Sequence, residues 1–135
     1  MTFAVKTTVF SLLAALWASA ALGATSFVVD LGSEQTADMA ADSLGFTYVV
    51  TASGTGQSTI RKYDPSGAQI QWLGDGAFDR IINGLTPLAV CIAPGNTNLY
   101  LAGLEQIVQI AADTGTVLNS TNVPGTITPK GIFCD

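Results

Sequence analysis

An all-β fold with a repeated unit is predicted for this chain of 135 residues. Two stretches, Ala40–Val49 and Cys91–Leu101, have similar patterns, and each is followed by a short strand and a second turn. The second turns are Asp64–Gly67 and Asp113–Gly115. Helix signals are nearly absent from the main part of the chain. Repeats of roughly 40–50 residues made of short strands are typical of β-propeller blades. The sequence therefore predicts a partial β-propeller.

Short strand-like runs separated by turns fill most of the chain. They are rich in β-branched and aromatic residues, which favour strands. In order they are Phe27–Val29, Phe46–Ala52, Thr59–Tyr63, Ile70–Leu73, Leu88–Ile92, Leu99–Ala102, Gln106–Ala111, Thr116–Leu118 and a last half-strand at Gly131–Cys134. Thr59–Tyr63 and Ile70–Leu73 flank a turn, as hairpin arms do. Ser33–Ala41 has a weak helix signal because Ser33 could cap a turn, but sustained apolar spacing is missing.

The turns have a clear physical basis in their aspartates. Asp64–Gly67 places Asp, Pro and Gly at the first, second and fourth positions of a type I turn. The proline fixes φ, and the aspartate side chain can bind the backbone two residues on. Asp42–Gly45 repeats the Asp and Gly spacing without the proline. Both aspartates are therefore interpreted as turn-forming residues.

The N-terminal residues 1–24 are predicted to be a cleaved, helical signal peptide. Lys6 precedes an apolar run, Val9–Leu22, and small residues follow at Ala18–Ala24. A basic start, a short apolar stretch and a small-residue cleavage site are typical of secretion signals. The alternative is an uncleaved membrane anchor, but the 16 residues from Val9 to Ala24 are fewer than the roughly 20 that span a bilayer. We expect a secreted, extracellular product that is not held by a membrane after cleavage.

Composition excludes some partners. The formal net charge is −5, and loss of Lys6 with the signal peptide leaves −6. The remaining cations are Arg61, Lys62, Arg80 and Lys130. They are too few to neutralise several phosphates, so binding to nucleic acid or to an anionic membrane surface is disfavoured.

Cys91 and Cys134 are the only cysteines. In an oxidising compartment an even number of cysteines favours a disulfide, and only one intramolecular pairing exists here. The alternative is a pair of buried free thiols, because free cysteine also behaves as a small apolar residue. Since secretion is expected, the disulfide is the preferred prediction.

The chain also resembles a known repeat family. Ala37–Val50, Ile60–Gly67 and Ile70–Trp72 look like the SBBP-type β-propeller repeat, which is related to the NHL-type repeats. The resemblance covers one unit well and the second loosely. It implies blades of four antiparallel strands in a secreted or cell-surface protein, and it carries no catalytic residues. The corresponding units are a first blade at about 37–86, a second at about 87–128 and the start of a third at 129–135.

A propeller normally closes with about four to eight blades, so two blades and a fragment conflict with a complete ring. The end of the chain, Ile132–Asp135, matches the Ile92–Ala93 and Ala40–Asp42 positions of the earlier units. A partial propeller that stops in mid-repeat is the preferred interpretation. The alternatives are a half-ring that oligomerises through open blade edges, and strands that collapse into a small β-sandwich.

Residues with potential chemistry are few. The chain has no histidine, which removes the commonest proton shuttle and a common metal ligand. Asp75, Asp79 and Glu105 could provide oxygen ligands for Ca²⁺, although a solvated loop is the stronger interpretation. Asn119 begins an N-glycosylation sequon, Asn-Ser-Thr, which predicts an exposed loop in a eukaryotic host. No catalytic residue and no cofactor site are predicted.

Two functions remain open from the sequence. The first is a secreted, non-catalytic propeller-type module that binds a protein or glycan through loops on one rim. The second is a fragment of a calcium-dependent, lactonase-like propeller hydrolase. Because propellers host unrelated functions, the fold alone does not choose between them.

Overall fold

Eight antiparallel strands build the protein in the computed structural model, which describes residues 34–53, 56–124 and 131–135. The strands are β1 (Gln35–Ala41), β2 (Thr47–Ser53), β3 (Gln57–Tyr63), β4 (Asp79–Asn83), β5 (Pro87–Ile92), β6 (Asn98–Gly103), β7 (Gln106–Ala111) and β8 (Val117–Asn122). They form two four-stranded sheets, ordered β1-β2-β3-β4 and β5-β6-β7-β8. The described residues contain no helix. The predicted all-β class and four-stranded antiparallel units are confirmed.

Aspartates organise the turns at the ends of β1 and β3. The Asp42 carboxylate accepts hydrogen bonds from the amides of Leu44 and Phe46, each at 2.9 Å. The Asp64 carboxylate accepts the amides of Ser66 and Ala68 at 2.8 and 3.0 Å. These bonds satisfy backbone donors that have no strand partner. The turn-forming role predicted for both aspartates is confirmed.

The main core lies between the two sheets. Alternate residues of the central strands point into it, as the two-residue period of a strand requires. Ile60 of β3 and Leu99, Leu101 and Ile110 of the second sheet have no measurable exposure. The buried core cluster consists of Tyr48, Val50, Ile60, Trp72, Leu73, Leu85, Val90, Leu99, Leu101, Val108, Ile110 and Ala112.

The sheets approach each other most closely at their first strands, β1 and β5. There the Asp38 carboxylate accepts the amide of Val90 at 2.9 Å. Further along the interface the buried Tyr48 hydroxyl donates to the carbonyl of Ala112 at 3.2 Å. Polar groups at this contact are thus paired across the sheets, which removes the cost of burying them.

The strand predicted at Ile70–Leu73 is wrong. The fourth strand of the first sheet is β4, whereas Ile70–Leu73 was predicted to be a hairpin arm. That segment forms only the start of a pairing, because Ile70 donates its amide to the Lys62 carbonyl and the chain then turns away. Trp72 and Leu73 instead fill the core between the sheets. The segment with the weak helix signal contains a strand that the sequence did not predict, since Gln35–Ala41 is β1 and pairs with β2.

The predictions for the two chain ends have different outcomes. The predicted signal peptide, residues 1–24, and the Phe27–Val29 strand lie outside the described residues. In the part of the chain that is described, no helix has the length and apolar character needed to cross a membrane. Residues 131–135 are described and form no strand, so the last half-strand predicted at Gly131–Cys134 is wrong.

Candidate functional site

Four connections meet at one end of the two sheets, and we call this surface the rim. It consists of residues 42–46, 64–78, 93–97 and 112–116. Antiparallel order places the first two at the same end of the first sheet and the last two at the same end of the second. Hydrogen bonds between the connections show that the two ends coincide.

Side chains join the rim connections across the two sheets. The amide of Ser43 donates to the Asn96 side-chain oxygen at 3.2 Å. In return, the Asn96 side-chain nitrogen donates to the Ser43 hydroxyl at 2.7 Å. Asn96 has a positive φ of 59°, a conformation that asparagine tolerates better than most residues. This reciprocal pair fixes the β1–β2 turn against the β5–β6 turn.

Lys62 makes a second link beneath the rim. Its ammonium lies 4.7 Å from the ring centroid of Phe46 and 5.0 Å from that of Tyr48. It also donates to the carbonyl of Ala112 at 3.1 Å. Burial lowers the pKa of the Lys62 ammonium, while the charges of Asp42 and Asp113 oppose that shift. The cation–π and hydrogen-bond contacts hold the β7–β8 turn onto the first sheet.

Burial also changes the neighbouring phenol. The Tyr48 hydroxyl donates to the same Ala112 carbonyl as Lys62. Desolvation, followed by the charge of Asp42, raises the pKa of Tyr48 well above its ordinary value of 10.0. Tyr48 therefore stays neutral and acts as a hydrogen-bond donor, so this cluster is a rigid support for the rim.

The outward surface of the rim is apolar and acidic. Leu44 is 68% exposed and Phe78 is 45% exposed. Asp75 and Asp113 are also exposed, on connections of the same rim. Because the turns below are fixed by hydrogen bonds, these side chains are presented by a preorganised backbone. Such a surface can contact a partner that offers both apolar groups and cationic or hydrogen-bond-donating groups.

The residues predicted as calcium ligands have separate positions. The Asp75 carboxylate accepts the amide of Ala77 at 3.0 Å within its own turn. Asp79 begins β4 and pairs with Arg61. Glu105 lies in the β6–β7 turn, at the end of the sheets opposite the rim. Among the residues that the structure describes, no group of three or more possible metal-ligating side chains comes together.

An ion cluster of Arg61, Glu34 and Asp79 lies on the face of the first sheet that points away from the second sheet. The sequence did not predict this cluster. Arg61 donates to both carboxylate oxygens of Glu34, at 2.8 and 3.0 Å. The same guanidinium donates to Asp79 at 3.3 Å. Thr51 donates its hydroxyl to Glu34 at 2.6 Å, and Gln69 donates to Asp79 at 2.6 Å.

Hydrogen bonds shift the pKa values of Glu34 and Arg61 so that both groups stay charged. The bonds from Arg61, and then that from Thr51, lower the pKa of Glu34 below its ordinary value of 4.5. The bond to Glu34 in turn raises the pKa of Arg61. The Arg61 side chain is 15% exposed, and partial burial strengthens such charge-assisted bonds. The cluster therefore anchors β3 to the start of β1 and to β4.

The disulfide between Cys91 and Cys134 is confirmed, with 5.9 Å between the two Cα atoms. Val90 points into the core, so the next residue, Cys91, points to the opposite face of the second sheet. The bond therefore attaches residues 131–135 to the outer face at β5. A buried disulfide is compatible with an extracellular protein.

Asn119 differs from its predicted setting. It was expected in a loop after Leu118, whereas β8 continues from Val117 to Asn122 and includes the whole sequon. All six residues of β8 are exposed. The Asn119 side-chain oxygen accepts the amide of Ser120 at 2.8 Å. The strand was missed at its polar end because Asn and Ser are uncommon in strands.

We found no protein-family model that matches this chain and no curated protein with significant similarity to it.

Proposed function

We propose that this protein is a secreted, non-catalytic binding module of the β-propeller type, whose rim contacts a protein or glycan ligand. The observation that carries the proposal is the rim itself. It presents the exposed Leu44 on a turn that is fixed by reciprocal hydrogen bonds between the two sheets. Phe78, Asp75 and Asp113 are exposed on other connections of the same rim. Rigid elements that support exposed loops are the usual basis of recognition.

The propeller-type arrangement is supported by how the sheets pair. Both have four antiparallel strands in sequence order, and they are closest at their first strands, β1 and β5. In a propeller, first strands lie near the axis and the blades spread outward from them. In a sandwich the two sheets would be spaced more evenly along their width. We therefore favour propeller-type packing over a sandwich.

Secretion is supported by two independent observations. The Cys91–Cys134 disulfide requires an oxidising environment to persist. Residues 1–24 have the charge, length and small-residue pattern of a cleaved signal. The acidic composition and the acidic rim are consistent with a ligand that is neutral or cationic rather than with nucleic acid.

A binding experiment with rim variants tests the function. The secreted protein is applied to an array of glycans and an array of cationic, apolar peptides. We expect binding to at least one class of probe. Leu44→Ser should weaken it about tenfold, because a buried leucine side chain contributes roughly 1.5–3 kcal/mol. Asp113→Asn should weaken binding to cationic probes and increase its salt tolerance.

Matched controls lie away from the rim. Ile81 is 54% exposed on β4, so Ile81→Ser removes a similar apolar surface without touching the rim. Glu105→Gln removes an exposed carboxylate at the opposite end of the sheets. Both controls should bind as the parent does. Absence of binding to every probe, or equal losses in rim and control variants, would contradict the proposal.

A further inference from the structure

The two outermost strands of the protein are protected very differently. Among the residues that the structure describes, β4 and β8 are the outer edges of their sheets, whereas the first strands β1 and β5 lie beside each other. An exposed edge offers unpaired backbone groups to other chains, and natural proteins commonly protect it with charge. β4 is five residues long and carries Asp79 and Arg80. β8 is six residues long, is exposed at every position, and has neither a charged residue nor a proline.

The sequon occupies the middle of this uncharged edge. Asn119, Ser120 and Thr121 are consecutive exposed residues of β8, and they form the only Asn-x-Ser/Thr sequence of the chain. Asn119 pairs with Gln109, which pairs with Tyr100, which pairs with Cys91. Residues opposite one another share a face. The Asn119 side chain therefore belongs to the face that points away from the core, and it is exposed.

We propose that Asn119 carries an N-linked oligosaccharide and that this glycan protects the β8 edge from pairing with a second chain. The side-chain nitrogen Nδ2 forms a bond to the anomeric carbon of an oligosaccharide. The bond from that carbon to a polyprenyl diphosphate carrier breaks, the diphosphate leaves with the electron pair, and Nδ2 loses a proton. The bulky, solvated sugar then takes the role that charges take on β4.

This inference rests on the proposed secretion, since the donor is present only in a secretory compartment. The experiment keeps the two apart. The chain is expressed in a eukaryotic cell with its own N-terminus and, in parallel, with a foreign cleavable signal. If the chain is secreted only with the foreign signal, secretion by residues 1–24 is contradicted. The protein secreted with the foreign signal still tests the glycan.

Four variants of the secreted protein give the test. Enzymatic deglycosylation should shift the parent to lower mass and convert Asn119 to aspartate. Asn119→Gln and Thr121→Ala should both lose that shift completely. Ser120→Ala retains an Asn-x-Thr sequence and loses only the hydrogen bond from Gln106, so it should keep the shift. Size-exclusion chromatography after prolonged incubation then measures the monomer that remains.

Edge protection predicts a distinct pattern of association. The fraction of protein that is still monomeric should be lower by about twofold or more for Asn119→Gln and Thr121→Ala than for the parent, because the β8 edge is then open. Asn119→Lys also lacks the glycan but restores a charge to β8, and it should remain monomeric. A parent with no deglycosylation shift overturns the proposed modification. Unchanged monomer in the variants without a glycan overturns its protective role.

Discussion

Arg61 is the residue on which charge pairing at the outer face of the first sheet depends. It stands on the central strand β3 and reaches Glu34 before β1 and Asp79 on β4. In the second sheet, the residue that corresponds to Arg61 is the neutral Gln109, which follows Val108 in β7 as Arg61 follows Ile60 in β3. A neutral residue needs no carboxylate partners. The two sheets therefore share a backbone pattern but stabilise their outer faces with different chemistry.

Replacement of Glu34 should destabilise the protein in a pH-dependent manner. Its pKa is lower in the folded state than the ordinary value of 4.5, so its contribution is complete above that value. The contribution is lost as pH falls through the folded pKa, because the folded carboxylate must then be protonated. Glu34→Gln should lower the free energy of unfolding by about 1 kcal/mol at pH 7. Below pH 4.5 the difference from the parent should shrink.

Urea denaturation at neutral and acidic pH measures this difference directly. Glu105→Gln is the control, because Glu105 is an exposed carboxylate in the β6–β7 turn. It should change the free energy of unfolding little at either pH. A Glu34→Gln penalty that is the same at both pH values would show that packing, rather than the charged hydrogen bonds to Arg61, accounts for it.

The roles of residues whose interactions are local could be predicted from the sequence. Asp42 and Asp64 bind amides two and four residues away, so their role follows from turn chemistry. Glu34 and Arg61 are 27 residues apart, and Arg61 and Asp79 are 18 apart. Their meeting depends on strand register, which composition and spacing do not define.

The sequence predicted that the elements are β-strands, but it did not predict which segment forms the fourth strand of the first sheet. Ile70–Leu73 has better β-forming residues than the Asp79–Asn83 segment that became β4. It was taken into the core instead, because Trp72 and Leu73 cover the space beside the turn at Gly115. A side chain at Gly115, whose φ is +64°, would overlap Leu73. Tertiary packing thus overrides local propensity here, and no local pattern signals it.

The segment between β4 and β5, which joins the two sheets, packs closely against Gly103. A Cβ atom on Gly103, at the end of β6, would overlap the Leu85 side chain and lie 3.0 Å from the Thr86 carbonyl. Leu85 is 1% exposed. Gly103→Ala should therefore reduce the free energy of unfolding by about 1–3 kcal/mol through overpacking.

A double-mutant cycle checks the cause. Leu85→Ala alone should destabilise by about 2–5 kcal/mol, because it leaves a cavity. In the double variant, the new methyl group enters part of that cavity, so the combined loss should be smaller than the sum of the single losses. Thermal denaturation of the four proteins measures the coupling. Additive losses would mean that Gly103 and Leu85 do not compete for the same space.

Two kinds of attachment stabilise the molecule around its shared core. Lys62, Tyr48 and the Ser43–Asn96 pair hold the two sheets together through non-covalent contacts. The disulfide is covalent and lies on the opposite face of the second sheet. It joins β5 to a residue beyond β8, so the closed loop contains β6, β7 and β8. The second sheet is therefore the part whose stability should depend most on oxidation.

Loss of the disulfide should produce a large change in stability. The bonded residues are separated by 43 positions, and closing a loop of that length stabilises by about 4 kcal/mol on the chain-entropy model. That is a large fraction of the roughly 5–15 kcal/mol typical of a domain. Reduction of the disulfide, or the double variant Cys91→Ala/Cys134→Ala, should lower the free energy of unfolding by this amount and shift the urea midpoint to a lower concentration.

Both cysteines are replaced together so that no free thiol can form bonds between chains. Addition of a reductant should destabilise the parent and leave the double variant unchanged, because the variant has no bond to lose. Amide hydrogen exchange should also become faster in β5–β8 than in β1–β4 when the bond is reduced. If the exchange rate instead increases equally in both sheets, the two sheets unfold as one cooperative unit. The shared core around Tyr48 and Leu101 would then couple the sheets more strongly than the disulfide stabilises the second sheet.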